Sequence, residues 1–426
     1  MNIAELHHYF LRTEGISTDT RTPTKNRLFF CLSGSNFNGN TFAQKALDAG
    51  AAYVIFDDKT HDPKQPNAFF VEDSLKALQE LANYHRRQLD IPVIGLTGSN
   101  GKTTTKELIK SVLEQDYNVL ATEGNLNNHI GVPLTLLKIS STTEIALIEM
   151  GANHLNEIAF LAELAAPTLG YITNFGKAHL EGFGSLEGVV KGKSELYDYL
   201  KKNKGTAFIN GNDAKQLEQS EGLNRISFGT SKNVDICLSN SMDKNGLCCV
   251  AIKETKITSN LTGEYNLDNL NAAVSFGIHF GLSLASIKKG VTAYLPNNNR
   301  SQWMKTTHNK LLLDAYNANP SSMLAALKAF MAFEAENKTV ILGDMLELGE
   351  YTQQEHQDIV DFLIASKLKQ AILVGPAFCA TNTKDYYCFQ TTQEAAKHLE
   401  KKALKHQTIL IKGSRGIALE QLLPLL

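Results

Sequence analysis

The stretch VIGLTGSNGKTTTKEL, Val93 to Leu108, holds the residues best placed to do chemistry. An apolar run ends in a turn of small residues, then a lysine and three threonines lead into an amphipathic pattern. A strand, a glycine turn and a helix start form an anion site, because the first N–H groups of a helix have no internal partner and its dipole favours negative charge. Gly98 and Gly101 let the backbone approach a phosphate, Lys102 can reach terminal phosphates, and the Thr103 hydroxyl suits a magnesium ion. In the pattern G-x-x-x-x-G-K-[ST] the first glycine would fall at Leu96, so this is the shorter T-G-S-N-G-K-T form. Nucleotide binding is the expectation.

The elements that must carry such a loop are visible on both sides of it. From Pro92 onward the apolar runs PVIGL, EIALIEM and LGYITNF alternate with helical patterns, which predicts a mostly parallel sheet with crossover helices. Ligands of such sheets sit beyond the carboxyl ends of the strands. There the sequence places Glu149 in EMGANH and His179 in GKAHLEGFGS, followed by Lys191 and Lys193 on a predicted helix. Thr103 with Glu149 makes a coherent magnesium site, since that ion prefers hydroxyl and carboxylate oxygens; His179 would be an unusual addition.

Two further α/β units flank this one. RLFFCL, AAYVIF and AFFVE read as strands around the helical run TFAQKALDAG in residues 1–88, without a phosphate loop. Beyond LPNNNRSQW, a predicted linker, KLLLDAY, KTVILGD, QAILVG and TILIKGS alternate with helices in residues 304–426, leaving 89–303 to the nucleotide unit. A chain of 426 residues with 43% hydrophobic content is too long for one core. A net charge of −2 argues against a nucleic-acid surface. No secretory signal or membrane-length apolar run is evident, so a cytoplasmic protein without membrane insertion is expected. Cys31, Cys237, Cys248, Cys249, Cys379 and Cys388 form no C-x-x-C pair, and reduced packing thiols are expected.

The segments TGSNGKTT, GNLNNHIGVPLT, EMGANH, NFGKAHLEGFGS, KGKSELY, GEYNLDNLNAA, DAYNANP, LGDMLELGE and KGSRG together resemble, in this order, the Mur ligases of peptidoglycan synthesis. STDTRTPTKNRLFFCLSGSNFNGNTF is similar to that family's UDP-binding domain. The resemblance implies a three-domain α/β architecture: a small UDP-binding domain, a central P-loop ATPase domain and a C-terminal Rossmann-like domain. It implies an ATP-dependent amide ligation through an acyl phosphate. DAYNANP and LGDMLELGE point to the branch that joins D-alanyl-D-alanine to a UDP-N-acetylmuramoyl-tripeptide. A monomer is expected, although no motif reads the oligomeric state.

Carried over by motif, the loop Gly98, Ser99, Asn100, Gly101, Lys102, Thr103 and Thr104 would hold ATP. Asn269, Arg300 and Asp314 would contact its base, phosphates and ribose. Thr103 and Glu149 would hold one Mg2+, and Glu149, His179 and a carbamylated Lys193 a second, with Lys102, Glu149, His179 and Lys193 catalytic. Asn317 and Asn319 are candidates for the dipeptide side, Asn127 and Asn128 for the peptide arm of the UDP substrate, and Thr20 and Arg21 for its UDP end. Tyr265 stands where a histidine is common, NNNRSQ replaces a proline-glycine-arginine turn, and FNGN replaces an aspartate-glycine-histidine stretch. The rival readings are another amide ligase of this architecture, adding the third residue or glutamate to folate, and a nucleotide-binding homologue without catalysis. DAYNANP disfavours the former, and Lys102, Glu149, His179 and Lys193 the latter. The third residue of the tripeptide, lysine or diaminopimelate, is left open.

Overall fold

The computed structural model describes residues 2–296 and 299–426; Asn297 and Asn298, part of the expected linker, lie outside them. The three expected α/β units each form around their own sheet. In the first, Ile16–Ser17, Leu28–Phe30, Tyr53–Phe56 and Ala68–Phe70 pair in parallel in that order. Leu28, Phe29 and Phe30 are all buried, as a strand covered on both faces requires.

The central sheet has seven parallel strands in the order Ile236–Cys237, Asn224–Gly229, Thr206–Asn210, Leu169–Ile172, Val93–Thr97, Ile145–Glu149 and Val119–Ala121. Val93–Thr97 lies in the middle with later strands on both sides, so the chain order reverses there and opens a crevice at its carboxyl end. Thr97, Glu149 and Ile172 end their strands around that crevice. The sequence reading missed a three-stranded antiparallel sheet, Ser239–Met242, Leu247–Ile252 and Thr255–Thr262. Its first strand, SNSM, is polar but for Met242, and Cys248, Val250, Ile257 and Leu261 join the central core.

In the third unit Lys310–Asp314, Thr408–Lys412, Lys338–Gly343, Gln370–Val374 and Tyr387–Phe389 run parallel, and Gln302–Lys305 adds an antiparallel edge. That edge strand begins before residue 304, so the third sheet starts inside the expected central unit. The cysteine expectation needs correction here: Cys379 and Cys388 are disulfide-bonded, with Cα atoms 5.6 Å apart. The helix Pro376–Cys379 turns back onto the strand Tyr387–Phe389, a contact made by the fold that no short spacing motif records. Cys31, Cys237, Cys248 and Cys249 are free thiols. Among the described residues no helix is long and apolar enough to cross a membrane.

The helix Ser74–Arg87 fastens the first unit to the second. The buried Arg86 donates to the carbonyls of Ala165 and Ala166 at 3.1 and 3.0 Å, closing the C-terminal end of the helix Glu157–Ala165. Beside it, His85 Nε2 donates to the Ile139 carbonyl at 2.9 Å, so its Nδ1 accepts from His7 Nε2 at 3.0 Å. Burial holds both imidazoles below their usual value, and for His7 the neighbouring His85 adds to the effect. With folded values below the unfolded 6.5, the unfolded chain takes up protons first as pH falls. Stability from this pair is therefore complete above 6.5 and is lost as pH drops through the folded values. The urea midpoint should fall between about pH 7 and pH 5, and less steeply in a His7→Gln/His85→Gln double variant. Equal slopes in the two proteins would refute the assignment.

Candidate active site

A cavity of about 1050 Å³ opens between the central and third units. Its floor is the loop that leads into the helix Lys102–Leu113. Gly98 and Gly101 have φ of +138° and +79°, and a Cβ on Gly98 would lie 2.0 Å from Thr173 Oγ1. Only glycine satisfies both the backbone and the space. The loop is braced from the neighbouring strand end: the Asn100 carbonyl accepts from Thr173 Oγ1 at 2.6 Å, and Asn100 N donates to Asn174 Oδ1 at 3.1 Å. Lys102 Nζ donates to the carbonyls of Gly98 and Ser99 at 2.7 and 3.3 Å. Burial lowers the pKa of that amine, the Glu149 charge opposes the shift, and Arg300 reinforces it.

Glu149 ends its strand with its carboxylate almost fully buried. It accepts from Thr103 Oγ1 at 3.2 and 3.0 Å and from Asn127 Nδ2 at 2.9 Å. Lys106 Nζ stands 3.7 Å away, itself fully buried and paired with Glu107 at 3.0 Å. Sequence reasoning passed over Lys106; the signal was its place one helical turn after Lys102 and Thr103, on the same face. A hydroxyl and a carboxylate side by side fit a magnesium ion that is held through one carboxylate plus nucleotide oxygens. Among the described residues no three His, Cys, Asp or Glu side chains converge as a metal cage.

His179 and Lys193 make their polar contacts with residues other than Glu149. His179, with φ of +52°, turns its ring toward Glu347 of the third unit, and this contact lowers the Glu347 pKa. Lys193 lies behind Ala152 and donates to its carbonyl at 3.0 Å, 5.0 Å above the Phe183 ring. Burial, then the charge of Lys102, holds its pKa well below the usual lysine value. Lys191, two residues earlier on the helix Leu186–Lys202, is exposed, so the two lysines do face opposite ways.

Of the expected nucleotide residues, all but Gly98 line the cavity, and so do Asn127, Asn128, Asn317 and Asn319. Asn269 accepts from Thr105 Oγ1 at 2.9 Å, and the Arg300 guanidinium lies 3.7 Å from the centre of the Tyr316 ring. Asn319 caps the helix Pro320–Ala332 and reaches across to Asn100, Nδ2 to Oδ1, at 2.7 Å. Thr20 and Arg21 lie outside, on the first unit, where Arg21 pairs with Asp19 at 2.7 Å. Tyr265, Ser301, Tyr316 and Lys412 also line the cavity and were given no role by motif.

Fold and site define a three-unit α/β protein that brings a phosphate loop and a C-terminal amide-rich loop to one cavity. Family models match along the chain: Mur ligase family, catalytic domain, over 12–86; Mur ligase middle domain over 96–277; and Mur ligase, glutamate ligase domain, over 299–415. The chain belongs to the Mur ligase family. It is 34% identical over 421 residues to the UDP-N-acetylmuramoyl-tripeptide–D-alanyl-D-alanine ligase of Bacillus subtilis, covering 96% of this chain and 92% of that one. Its structure is similar to MurF from Acinetobacter baumannii, with a TM-score of 0.88, 29% identity and 99% and 98% of the two chains covered. It is also similar to MurF ligase from Thermotoga maritima in complex with ADP, with a TM-score of 0.85, 25% identity and 97% of each chain covered.

The close approach at Gly98 gives a direct test. Gly98→Ala should cost about 1–3 kcal/mol of stability, as overpacking does, and weaken ADP binding at least about tenfold. Calorimetry showing wild-type ADP affinity would contradict the loop geometry described here.

Proposed function

We infer that this chain joins D-alanyl-D-alanine to UDP-N-acetylmuramoyl-tripeptide, at the expense of ATP, to make the pentapeptide precursor of peptidoglycan. The observation that carries the reading is the cavity itself, where the phosphate loop with Lys102 and the Thr103–Glu149 pair faces the Asn317 to Asn319 loop of another unit. Relatives that carry this activity in their names match over nearly their whole length.

The substrate carboxylate attacks the γ-phosphorus of ATP, ADP leaves, the dipeptide amine attacks the acyl carbon, and inorganic phosphate departs. Two anions must meet in the first step, so the protein's work is neutralisation and positioning. Lys102, the loop amides and Arg300 supply positive charge where it develops. Magnesium, when bound, adds charge neutralisation on the phosphates; Thr103 and Glu149 would hold it. Asn269 and Asp314 orient base and ribose, Asn127 and Asn128 the peptide arm, and Asn317 and Asn319 the dipeptide. The first unit, with Thr20 and Arg21, takes the UDP end. Lys193 is carbamylated in the working enzyme, and its depressed pKa favours the reading because only a neutral amine can take up carbon dioxide. With Glu149 and His179 the carbamate would hold a second magnesium ion. The enzyme works as a cytoplasmic monomer.

Purified protein should release ADP with the tripeptide substrate plus D-alanyl-D-alanine. It should not do so with UDP-muramoyl-dipeptide plus a diamino acid, or with folate plus glutamate; ADP release with either of those pairs would overturn the assignment. Lys102→Ala should lower turnover by at least about 100-fold and leave UDP-substrate affinity nearly unchanged. Lys193→Ala should abolish turnover, short carboxylates should restore part of it, and Lys191→Ala should keep most activity. An active Lys193→Ala would remove the carbamate from the scheme.

A further inference from the structure

The joint between the central and third units is crossed by one continuous polar chain. Tyr265, next to the helix that carries Asn269, shares a hydrogen bond with Ser301 Oγ at 2.9 Å. Ser301 N donates to Asp314 Oδ1 at 3.2 Å, and Lys412 Nζ donates to Asp314 Oδ2 at 2.6 Å. The same ammonium donates to the Asn317 carbonyl at 3.3 Å. The strand pairing fixes this order: Gln302 stands opposite Leu313, which brings Ser301 beside Asp314, and Asp314 stands opposite Lys412.

All five residues line the nucleotide cavity, so this is no core ornament. Lys412 is 2% exposed, and a buried ammonium is tolerated only when paired and hydrogen-bonded. Its two acceptors belong to two different recognition elements, the carboxylate assigned to the ribose and the loop assigned to the dipeptide. Tyr265 is half-buried, and desolvation of its hydroxyl, then the Asp314 charge, raises its phenol pKa, so it stays a neutral hydroxyl at physiological pH. It therefore serves as a pin and carries no charge into the base site.

We propose that Tyr265, Ser301 and Lys412 are positioning residues that, through Asp314, hold the ribose-facing carboxylate and the Asn317 loop as one piece across the interdomain joint. Nucleotide and dipeptide recognition are thereby coupled through Lys412, while the UDP substrate is left out of the relay. This rests on the function proposed above, and the two are separable: failure of the wild-type protein to ligate would sink that function, whereas the relay is judged by ratios among variants of an active enzyme.

The experiment measures KM for each of the three substrates and kcat. Tyr265→Phe and Ser301→Ala should each raise the KM for ATP about fivefold, the effect of one neutral hydrogen bond, with kcat within about twofold. The double variant should be no worse than either single, because both remove the same bond. Lys412→Met should raise the KM for ATP and for D-alanyl-D-alanine about tenfold or more and leave that for the UDP substrate unchanged, and Lys412→Arg should recover part of both. Additive effects of Tyr265→Phe and Ser301→Ala would overturn the proposal. So would a Lys412→Arg variant that shifts all three KM values alike, the pattern of general loosening. If Lys412→Met does not fold, the tyrosine–serine cycle and Lys412→Arg decide the matter.

Discussion

The burial of one carboxylate governs the catalytic half of the molecule. Glu149 sits at a strand end where water is almost excluded, and an ionised group there is costly without partners. Thr103, Asn127 and Lys106 supply them from three directions. They come from two segments: the helix after the phosphate loop contributes the threonine and the lysine, and the loop after the strand Val119–Ala121 contributes the asparagine. Satisfying Glu149 therefore ties the phosphate loop, the central sheet and the loop that carries Asn127 together. Lys106 also bonds the Thr122 carbonyl, so the edge strand is drawn into the same arrangement.

The second constraint is interdomain. His179 meets Glu347, Asn100 meets Asn319, and Lys177 meets Glu355, all between the central and third units. His179 and Glu347 both hold left-handed backbone, with φ of +52° and +63°. Non-glycine residues adopt that conformation at a cost of about 1–3 kcal/mol when strained, so the surrounding contacts must hold it. The present arrangement is thus one in which His179 serves the domain interface.

The features legible in the sequence were those written locally. The phosphate loop and Glu149 at a strand end each follow from a strand or a turn within about a dozen residues, and the structure places each where such patterns put them; the helical period separates Lys191 from Lys193, while the preference for Lys193 rests on the resemblance of KSELY to the family motif. What stayed hidden depends on distant segments meeting. Nothing near Glu347 announces a histidine partner far upstream, and nothing near Cys379 announces a bond to Cys388. Lys412 reads as the end of an apolar strand, TILIK, until the register sets it against Asp314. Tyr265 was visible only as a departure from a motif; its bond to Ser301 gives the departure a physical meaning.

The amide bridge between Asn100 and Asn319 has a bearing on inhibitor chemistry. One side chain belongs to the nucleotide loop and the other to the helix cap on the far wall, and they touch directly at 2.7 Å. A compound wedged between the walls must break that contact and leave both amides in a poorly hydrated place, so an apolar wedge loses affinity there. A scaffold bearing its own primary or secondary amide at that point, offering an acceptor to Asn319 and a donor to Asn100, would replace the bridge it removes. Such a compound would need both walls at once, because the two amides belong to different units.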